Sequence, residues 1–311
     1  MRMRWRHCAL GFLAATAASS STTPAATPDS LTIASWNLEW LLSPETAHTS
    51  RLACNAGRTA PIPCDVARDL GRDTADLARL ARYAKQLDAD VIAFQEVENQ
   101  RAARRLFRGY DICINTGPVL QQVGFAVRAG VAHRCDPALQ SLAQGNRQRA
   151  GARLTLYPGT AQQMELLAVH LKSGCSRDAL DAGDAACRTL AAQCKALGDW
   201  MRQRAEANAR VIVLGDFNRA GPNGADLFWQ QLQVGTATDS AYLDASASVA
   251  FSNCYRGQPF SQFIDHILVS RALAVRFVRG SFRHHGYRSL DAFRYRLSDH
   301  CPISISLIPP S

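Results

Sequence analysis

The sequence predicts an α/β domain in which short apolar strands alternate with amphipathic helices. Three observations lead to this prediction. Apolar segments of strand length recur between residues 31 and 308, segments with helical spacing of apolar residues separate several of them, and no linker-like stretch interrupts that range. Of the 311 residues, 47% are hydrophobic, which is enough for a core and excludes a chain that is mostly disordered or a coiled coil.

Strands are predicted where apolar or β-branched residues run together between turn-forming residues. Segments such as VIVLG and LLAVH are apolar on both faces, which is typical of central strands covered from both sides. The predicted strands span residues 31–37, 91–95, 123–128, 152–157, 164–170, 211–215, 264–270 and 301–307.

Helices are predicted from apolar residues spaced three or four apart with charged residues between them. In the first helix, Leu77, Leu80 and Leu87 form such an apolar face, so it is expected to lie on the surface of the domain. The predicted helices span residues 66–87, 98–106, 184–204 and 225–232.

The N-terminal residues have the pattern of an export signal. Residues 1–7 are basic, residues 8–18 are apolar and small, and Ser, Thr, Pro and Ala follow. We expect a cleaved signal peptide and flexible linker over residues 1–26, a mature domain over 31–309, and a secreted or periplasmic protein. The apolar stretch is too short to span a bilayer, so stable membrane insertion is not expected.

Export would allow disulfides, and the sequence has ten cysteines, of which Cys8 lies in the predicted signal. Cys54 and Cys64 bracket a loop rich in Pro and Gly and are predicted to close it. One of the nine remaining cysteines must stay unpaired within the chain. We predict Cys301, because it lies in an apolar run where a buried free thiol is common.

Cys187 and Cys194 lie seven residues apart on a predicted helix. A rise of 1.5 Å per residue separates them by about 10.5 Å, which is beyond the reach of one disulfide. They therefore need separate partners, and Cys175 is predicted to pair with Cys187.

Polar and ionisable side chains lie at the ends of the predicted apolar strands. Buried charges cost several kcal/mol each unless they are paired, hydrogen-bonded or bound to a metal, so six such segments predict a shared site. The segments are SWNLEW with Asn37 and Glu39, FQEVEN with Glu96, HLKSG with His170 and Lys172, GDFN with Asp216 and Asn218, IDHILVS with Asp265 and His266, and SDHCPISI with Asp299 and His300.

The residue types indicate the chemistry of this site. Carboxylate oxygens dominate it, with no cysteine cluster or HExxH motif, which favours Mg²⁺, then Mn²⁺ or Ca²⁺, over Zn²⁺. Two histidines and a lysine suit negative charge that develops on a phosphoryl oxygen. His266 is expected to be structural instead, because it points to the opposite face of its strand from Asp265.

These six ordered segments resemble the endonuclease/exonuclease/phosphatase superfamily, the deoxyribonuclease I-like metallophosphoesterases, over residues 33–307. The resemblance implies an α/β four-layer sandwich of two mainly antiparallel or mixed β-sheets flanked by helices. It also implies hydrolysis of phosphoric esters with the help of a divalent metal ion.

The resemblance implies a role for each site residue. Glu96 would be the main metal ligand, assisted by Glu39 or Asn37 and by Asp299. Asp216 and Asn218 would position the attacking water, His170 and His300 would contact the scissile phosphate, and Asp265 would orient His300. Asn37 and Lys172 are candidates for substrate binding, although Glu39 as a surface carboxylate and Lys172 as a loop residue remain alternatives. An acidic partner found beside the His170 equivalent in some family nucleases has no counterpart that we can place.

The substrate is predicted to be a nucleic acid, because the net charge of the chain is +9. Removal of the signal with Arg2, Arg4 and Arg6 still leaves a net charge of +6. Residues 101–108 and 276–296 carry arginines, the latter among aromatic residues, and could bind a polyanion or be ordinary surface segments. A phosphatase or phospholipase C-like enzyme acting on sphingomyelin or inositol phosphates is the alternative, and a non-catalytic binding protein is a remote one. No protein partner is implied, and a monomer is expected.

Overall fold

The computed structural model describes residues 30–308 except 70, 146, 223–224, 235–239, 248, 256 and 259. The predicted signal peptide and linker over 1–26, and residue 309 at the predicted end of the domain, lie outside the described residues. Among the helices of the described part, none combines the length and apolar character needed to cross a membrane.

Among the described residues, twelve strands form two six-stranded sheets. The first sheet contains β1 (Leu31–Leu41), β2 (Val91–Val97), β3 (Tyr110–Ile114), β4 (Gln122–Arg128), β11 (Arg283–His284) and β12 (Ile303–Leu307), in the order β11-β12-β1-β2-β4-β3. The second contains β5 (His133–Leu139), β6 (Gly151–Leu156), β7 (Met164–His170), β8 (Val211–Asp216), β9 (Tyr242–Asp244) and β10 (Asp265–Ser270), in the order β5-β6-β7-β8-β10-β9. Each sheet has one parallel pair at its centre, β1–β2 and β7–β8, and the other pairs are antiparallel.

Helices cover the outer faces of both sheets. They are α1 (Pro44–Asn55), α2 (Cys64–Asp69), α3 (Thr74–Leu87), α4 (Gln100–Leu106), α5 (Ala185–Glu206), α6 (Leu227–Gln231), α7 (Arg271–Ala274) and α8 (Ser289–Arg294). Side chains alternate along each strand, so Ile33 of β1 faces the core between the sheets and Trp36 faces outward toward α3 and α4. On the other sheet, Leu167 packs outward with α5 and α6. The predicted four-layer sandwich is confirmed.

All eight predicted strands are present, with ends that move by a few residues. The four strands missing from the prediction, β3, β5, β9 and β11, are the edge strands of the two sheets. An edge strand is only partly covered, so its sequence lacks the apolar pattern that marks a central strand; β5, HRCDPAL, has no buried residue.

The single helix predicted over residues 66–87 is interrupted, because the chain forms two helices there, α2 and α3. Gly71 lies in the connection, and Asp73 then starts α3 as its N-cap, accepting from the backbone of Asp76 while the Asp76 carboxylate accepts from the backbone of Asp73. Before it, α1 was not predicted, although Ser43 caps it and Pro44 occupies its first turn.

Four disulfides link the described cysteines. Cys54–Cys64 and Cys175–Cys187 are the predicted pairs, and Cys113–Cys135 joins the two sheets. The prediction of Cys301 as the free thiol is wrong.

Cys301 pairs with Cys254, which lies 47 residues earlier in the sequence. The free cysteine of the described part is Cys194, which is buried under α6 with its thiol against the carbonyl of Phe228. Burial raises the pKa of this thiol to about 12, so it is unreactive.

The loop lengths predict different contributions of the disulfides to stability. Replacing both Cys254 and Cys301 by Ala should lower the free energy of unfolding by about 4 kcal/mol, because it releases a loop of 47 residues. The matched pair Cys54→Ala with Cys64→Ala releases a loop of 10 residues and should cost about 2.7 kcal/mol. Urea denaturation measures both values, and a larger loss for the Cys54–Cys64 pair would contradict the expectation.

Candidate active site

The carboxyl ends of the two central parallel strand pairs meet at one edge of the sandwich. Asn37 of β1 faces the space between the sheets, and its side-chain amide donates to Glu96 Oε1 on β2 at 3.2 Å. The same amide donates to Asp216 Oδ2 on β8 of the other sheet at 3.0 Å. Asn37 is fully buried, so this amide is a bridge between the two sheets and not a turn residue.

Two β-bulges aim the glutamates into this edge. The pairing of β1 with β2 shifts between Asn37 and Leu41, and that of β2 with β4 shifts between Phe94 and Val97. Within the bulges the backbone of Glu39 has φ 44° and that of Glu96 has φ 61°. Residues other than glycine adopt such positive φ values at a cost in energy, and these values are common near functional sites. The Trp40 backbone amide donates to Glu96 Oε2 at 3.1 Å and fixes that carboxylate.

The GDFN segment requires glycine at its first position. Gly215 has φ 139°, and a Cβ there would lie 2.0 Å from the carbonyl oxygen of Val169 on β7. This close approach brings Asp216 beside His170, its register partner on β7. Asn218, with φ 49°, closes the turn by donating from its backbone to Asp216 Oδ1 at 2.7 Å and from its side chain to the carbonyl of Leu171 at 3.0 Å.

Asp265 and His300 form a buried pair next to Asp216. Asp265 lies opposite Asp216 in the pairing of β10 with β8, and its Oδ2 is 2.6 Å from His300 Nδ1. Burial alone would lower the pKa of His300, but the Asp265 and Asp216 carboxylates outweigh it and raise that pKa well above its usual range. His300 is therefore a cation whose Nε2 lies 3.8 Å from Asp216 and 3.9 Å from Asp299.

His170 differs from His300 in its charge. Its Nε2 lies 3.5 Å from Asp216 Oδ2 and 3.6 Å from Glu96 Oε1, but burial, together with the cations Arg149 and His300, lowers its pKa well below the usual range. We take His170 as neutral, because complete burial outweighs two contacts longer than a hydrogen bond. Its buried Nδ1 has no partner among the described residues, so no acidic residue pairs with it there.

The carboxylates at this edge are crowded. Burial and the neighbouring Asp299 raise the pKa of Glu39 to about 7, and burial raises the pKa of Asp216 to about 7. The pKa of Asp299 is also raised, by burial and then by the nearby Glu96. Such shifts mean that the negative charges lack sufficient compensation from the protein itself.

The donor set fits a hard divalent cation. Glu39, Glu96 and Asp299 offer carboxylate oxygens, which Mg²⁺ prefers, and a cation between them would offset the burial and repulsion that raise the pKa values of Glu39 and Asp299. In the described part, the three do not form a group with oxygens all within 4.8 Å of one another, so water would complete the coordination. At this site, Asp216, Asp265 and His300 have ligand atoms that all lie within 4.8 Å of one another. This group already contains a cation, His300.

Nine of the ten predicted site residues are linked by contacts of 3.9 Å or less, and Lys172 is the exception. Its ammonium donates to the carbonyl of Ser173, and it pairs with no carboxylate among the described residues. It is close enough only to contribute to the lowered pKa of His170. His266 is structural, as expected, because its ring bonds to Asp244 Oδ2 and to the carbonyl of Arg219 in the core.

Gln121, Arg149 and Arg72 are three of the residues around the site that were not predicted. Gln121 donates to Glu96 Oε2, and Arg149 donates to Gln121 Oε1. The Arg149 guanidinium is buried enough that its pKa is lowered, and its Nε has no partner in the described part of the chain. Arg149 and Gln121 precede β6 and β4, and a polar side chain just before a strand is too common to have identified them.

Arg72 is the third, and it holds the Glu39 segment in place. Its guanidinium donates to the carbonyls of Glu39 at 2.8 Å and Leu297 at 2.7 Å, and it lies 3.6 Å from Glu39 Oε2. The side chain is 4% exposed, so it ties the bulge of β1 to the segment that leads to Asp299.

Comparison with known proteins gives one family. The sequence model of the endonuclease/exonuclease/phosphatase family matches residues 34–300, which include all ten predicted site residues. A search of curated protein sequences found no significant match.

Solved structures share this fold at low sequence identity. TDP2 from Caenorhabditis elegans superposes with a TM-score of 0.58 at 16% identity, covering 90% of this chain and 74% of that protein. TDP2 from D. rerio in complex with a single-strand DNA product has a TM-score of 0.55 at 18% identity, with 90% and 99% covered. An AP endonuclease from Archaeoglobus fulgidus has a TM-score of 0.55 at 13% identity, with 89% and 99% covered.

The buried position of Arg72 predicts a large effect on stability. Arg72→Met should lower the free energy of unfolding by about 3 kcal/mol, because it leaves Glu39 and several carbonyls without their partner. Arg82→Met is the matched control, since Arg82 is exposed on α3, and it should change stability by less than about 0.5 kcal/mol. Equal urea midpoints for the two variants would show that Arg72 does not hold the site together.

Proposed function

Because the chain belongs to the endonuclease/exonuclease/phosphatase family, we propose that it is an exported, metal-dependent phosphodiesterase that hydrolyses nucleic acid. The observation that carries the proposal is the convergence of Glu96, His170, Asp216 and His300 from both sheets onto one edge. Groups on separate strands that meet as a cluster of carboxylates, one neutral histidine and one cationic histidine are suited to phosphoryl transfer.

The metal would be held by Glu39, Glu96 and Asp299, with Mg²⁺ as the first candidate and Mn²⁺ or Ca²⁺ as alternatives. When bound, it would supply positive charge that offsets the charge developing on the phosphoryl group. Gln121, Trp40 and Asn37 keep the Glu96 carboxylate in one orientation for this role.

Asp216 is placed to receive the proton of the attacking water, with Asn218 fixing its orientation. The water oxygen bonds to phosphorus, and its proton passes to Asp216. The ester P–O bond breaks, and the leaving oxygen takes a proton from solvent, which leaves an alcohol and a phosphomonoester. Cationic His300, held by Asp265, and the Nε2 of neutral His170 then face the negative oxygens of the phosphate.

Arg149 supports a phosphate-bearing substrate. It is a cation at the site with no carboxylate within ion-pair distance among the described residues, and its guanidinium donates to a neutral amide, that of Gln121. A bidentate contact with a phosphate would give it the charged partner that the protein does not supply.

Nucleic acid is the substrate class that the neighbours and the charge favour. The D. rerio TDP2 structure contains a single-strand DNA product, and the Archaeoglobus fulgidus protein is an AP endonuclease. The net charge of +9 agrees with a polyanionic partner. Four disulfides among the described residues agree with export to an oxidising compartment.

The test compares hydrolysis by the unsubstituted protein with that by Asp216→Asn and His300→Ala. Substrates are plasmid DNA, single-stranded DNA, RNA, sphingomyelin, inositol phosphates and bis(p-nitrophenyl) phosphate, each with Mg²⁺ and with EDTA. Each substitution should lower the rate by about 10²- to 10⁴-fold, and EDTA should abolish it. His48→Ala is the control, because His48 is exposed on α1.

Near-normal rates in both variants would show that the site is elsewhere. Hydrolysis of the lipid or inositol substrates in place of nucleic acid would move the protein to the alternative substrate class. Circular dichroism of each variant separates a lost reaction from a lost fold.

A further inference from the structure

Residues 276–296 are rich in arginine and aromatic residues, and all but one of these aromatic side chains pack against the protein. Phe282 and Tyr287 are buried, and Phe277 packs against the core between the sheets. Tyr295 lies under the Arg79 guanidinium, 4.6 Å from its ring centroid. Phe293 is the remaining aromatic residue of the stretch, and it is 88% exposed.

Phe293 is presented by a rigid segment. On α8, Asp291 is buried against Tyr83 and Arg79, so the helix is fixed to α3 from one side while Phe293 lies on the other. After the helix, the Arg296 backbone donates to Asp76 Oδ1 at 2.8 Å and accepts from Arg72 Nε at 3.0 Å. An exposed aromatic ring on a fixed backbone loses little conformational freedom when it binds a ligand.

Two cations flank the ring without partners. Arg294 and Arg296 are exposed, and within the described part of the chain their guanidinium groups take part in no ion pair or hydrogen bond. A phosphate could therefore bind either of them without displacing a contact of the protein.

One cavity connects these residues with the candidate active site. It has a volume of about 520 Å³, and Phe293, Arg294 and Arg296 line it together with Glu39 and Asp299. Asp73 and Asp76 also line it, but they are occupied in capping α3 and holding the Arg296 backbone. Two of the three carboxylates that could hold a metal, Glu39 and Asp299, thus share one continuous surface with the free arginines.

We propose that Phe293, Arg294 and Arg296, here called the α8 rim, bind an unpaired nucleotide of the substrate next to the bond that is cleaved. The ring of Phe293 stacks on the base, and the two arginines contact the neighbouring phosphates. A base inside a duplex has no free face for stacking, so the α8 rim selects single-stranded nucleic acid or an unpaired end. This inference rests on the proposed function, since it names the form of the substrate.

The test measures binding separately from cleavage. In the Asp216→Asn protein with Mg²⁺, fluorescence anisotropy gives the Kd for a single-stranded oligonucleotide and for the duplex of the same sequence. Phe293→Ala should weaken single-strand binding about 5- to 100-fold and duplex binding much less. Phe293→Trp should preserve single-strand binding, and Phe293→Leu should lose it, because leucine keeps the apolar contact but cannot stack.

Two controls accompany these variants. Val275→Ala changes another highly exposed apolar residue, 85% exposed and outside the cavity lining, and should bind as the unsubstituted protein does. Arg294→Ala and Arg296→Ala should each reduce the slope of log K against log salt by about 0.7 for the single strand.

Three outcomes would overturn the proposal. Unchanged single-strand binding in Phe293→Ala, or equal binding by Phe293→Leu and the unsubstituted protein, would exclude stacking. An equal loss for duplex and single strand would exclude selection of unpaired bases. If the unsubstituted active protein hydrolysed no phosphodiester at all, the proposed function would fail, while the binding comparison would still decide the role of the rim.

The exposed pair Leu290 and Phe293, three residues apart on α8, also has the chemistry of a membrane contact. Cosedimentation with vesicles of phosphatidylcholine and phosphatidylglycerol tests this. Vesicle binding that is lost in both Leu290→Ala and Phe293→Ala, with oligonucleotide binding unchanged, would assign the rim to a lipid surface and overturn the proposal.

Discussion

The structure depends on holding several carboxylates together where the two sheets meet. Two parallel strand pairs end at the same edge, and Asn37 joins them by donating to Glu96 on one sheet and Asp216 on the other. Burial and mutual repulsion raise the pKa values of Glu39 and Asp216 to about 7. The positive groups of the protein therefore neutralise the charge of these carboxylates only in part. A divalent cation and a phosphoryl group are partners that complete such a charge balance.

The positive groups are distributed around this negative centre according to their burial. Arg72 and His300 already have partners within the protein, because Arg72 holds the bulge that carries Glu39 and His300 is fixed by Asp265. Arg149 lies deep in the site with one neutral partner, and the arginines of the α8 rim lie at its outer end. A long anionic substrate that enters from the α8 side would therefore meet the cations without a charged partner first and the paired cations last.

Much of the fold and of the site could be predicted from the sequence because central strands carry strong patterns. The eight internal strands of the described residues carry runs of buried apolar residues, whereas the four edge strands are partly covered and gave no such pattern. Site residues that follow an internal strand, such as Glu96 and Asp216, were visible for the same reason. Arg149 and the Cys254–Cys301 bond depend on loops that approach from distant parts of the chain, and residue spacing carries no information about that approach.

Anomalous diffraction from a crystal soaked in Mn²⁺ tests the central claim most directly. The account predicts one strong peak at the edge of the sandwich, bonded to carboxylate oxygens of Glu39, Glu96 and Asp299, and its loss in a crystal of Glu96→Gln. A peak bonded to other residues, or an unoccupied edge at millimolar Mn²⁺, would contradict it, because the crowded carboxylates at this edge would then serve a purpose other than metal binding.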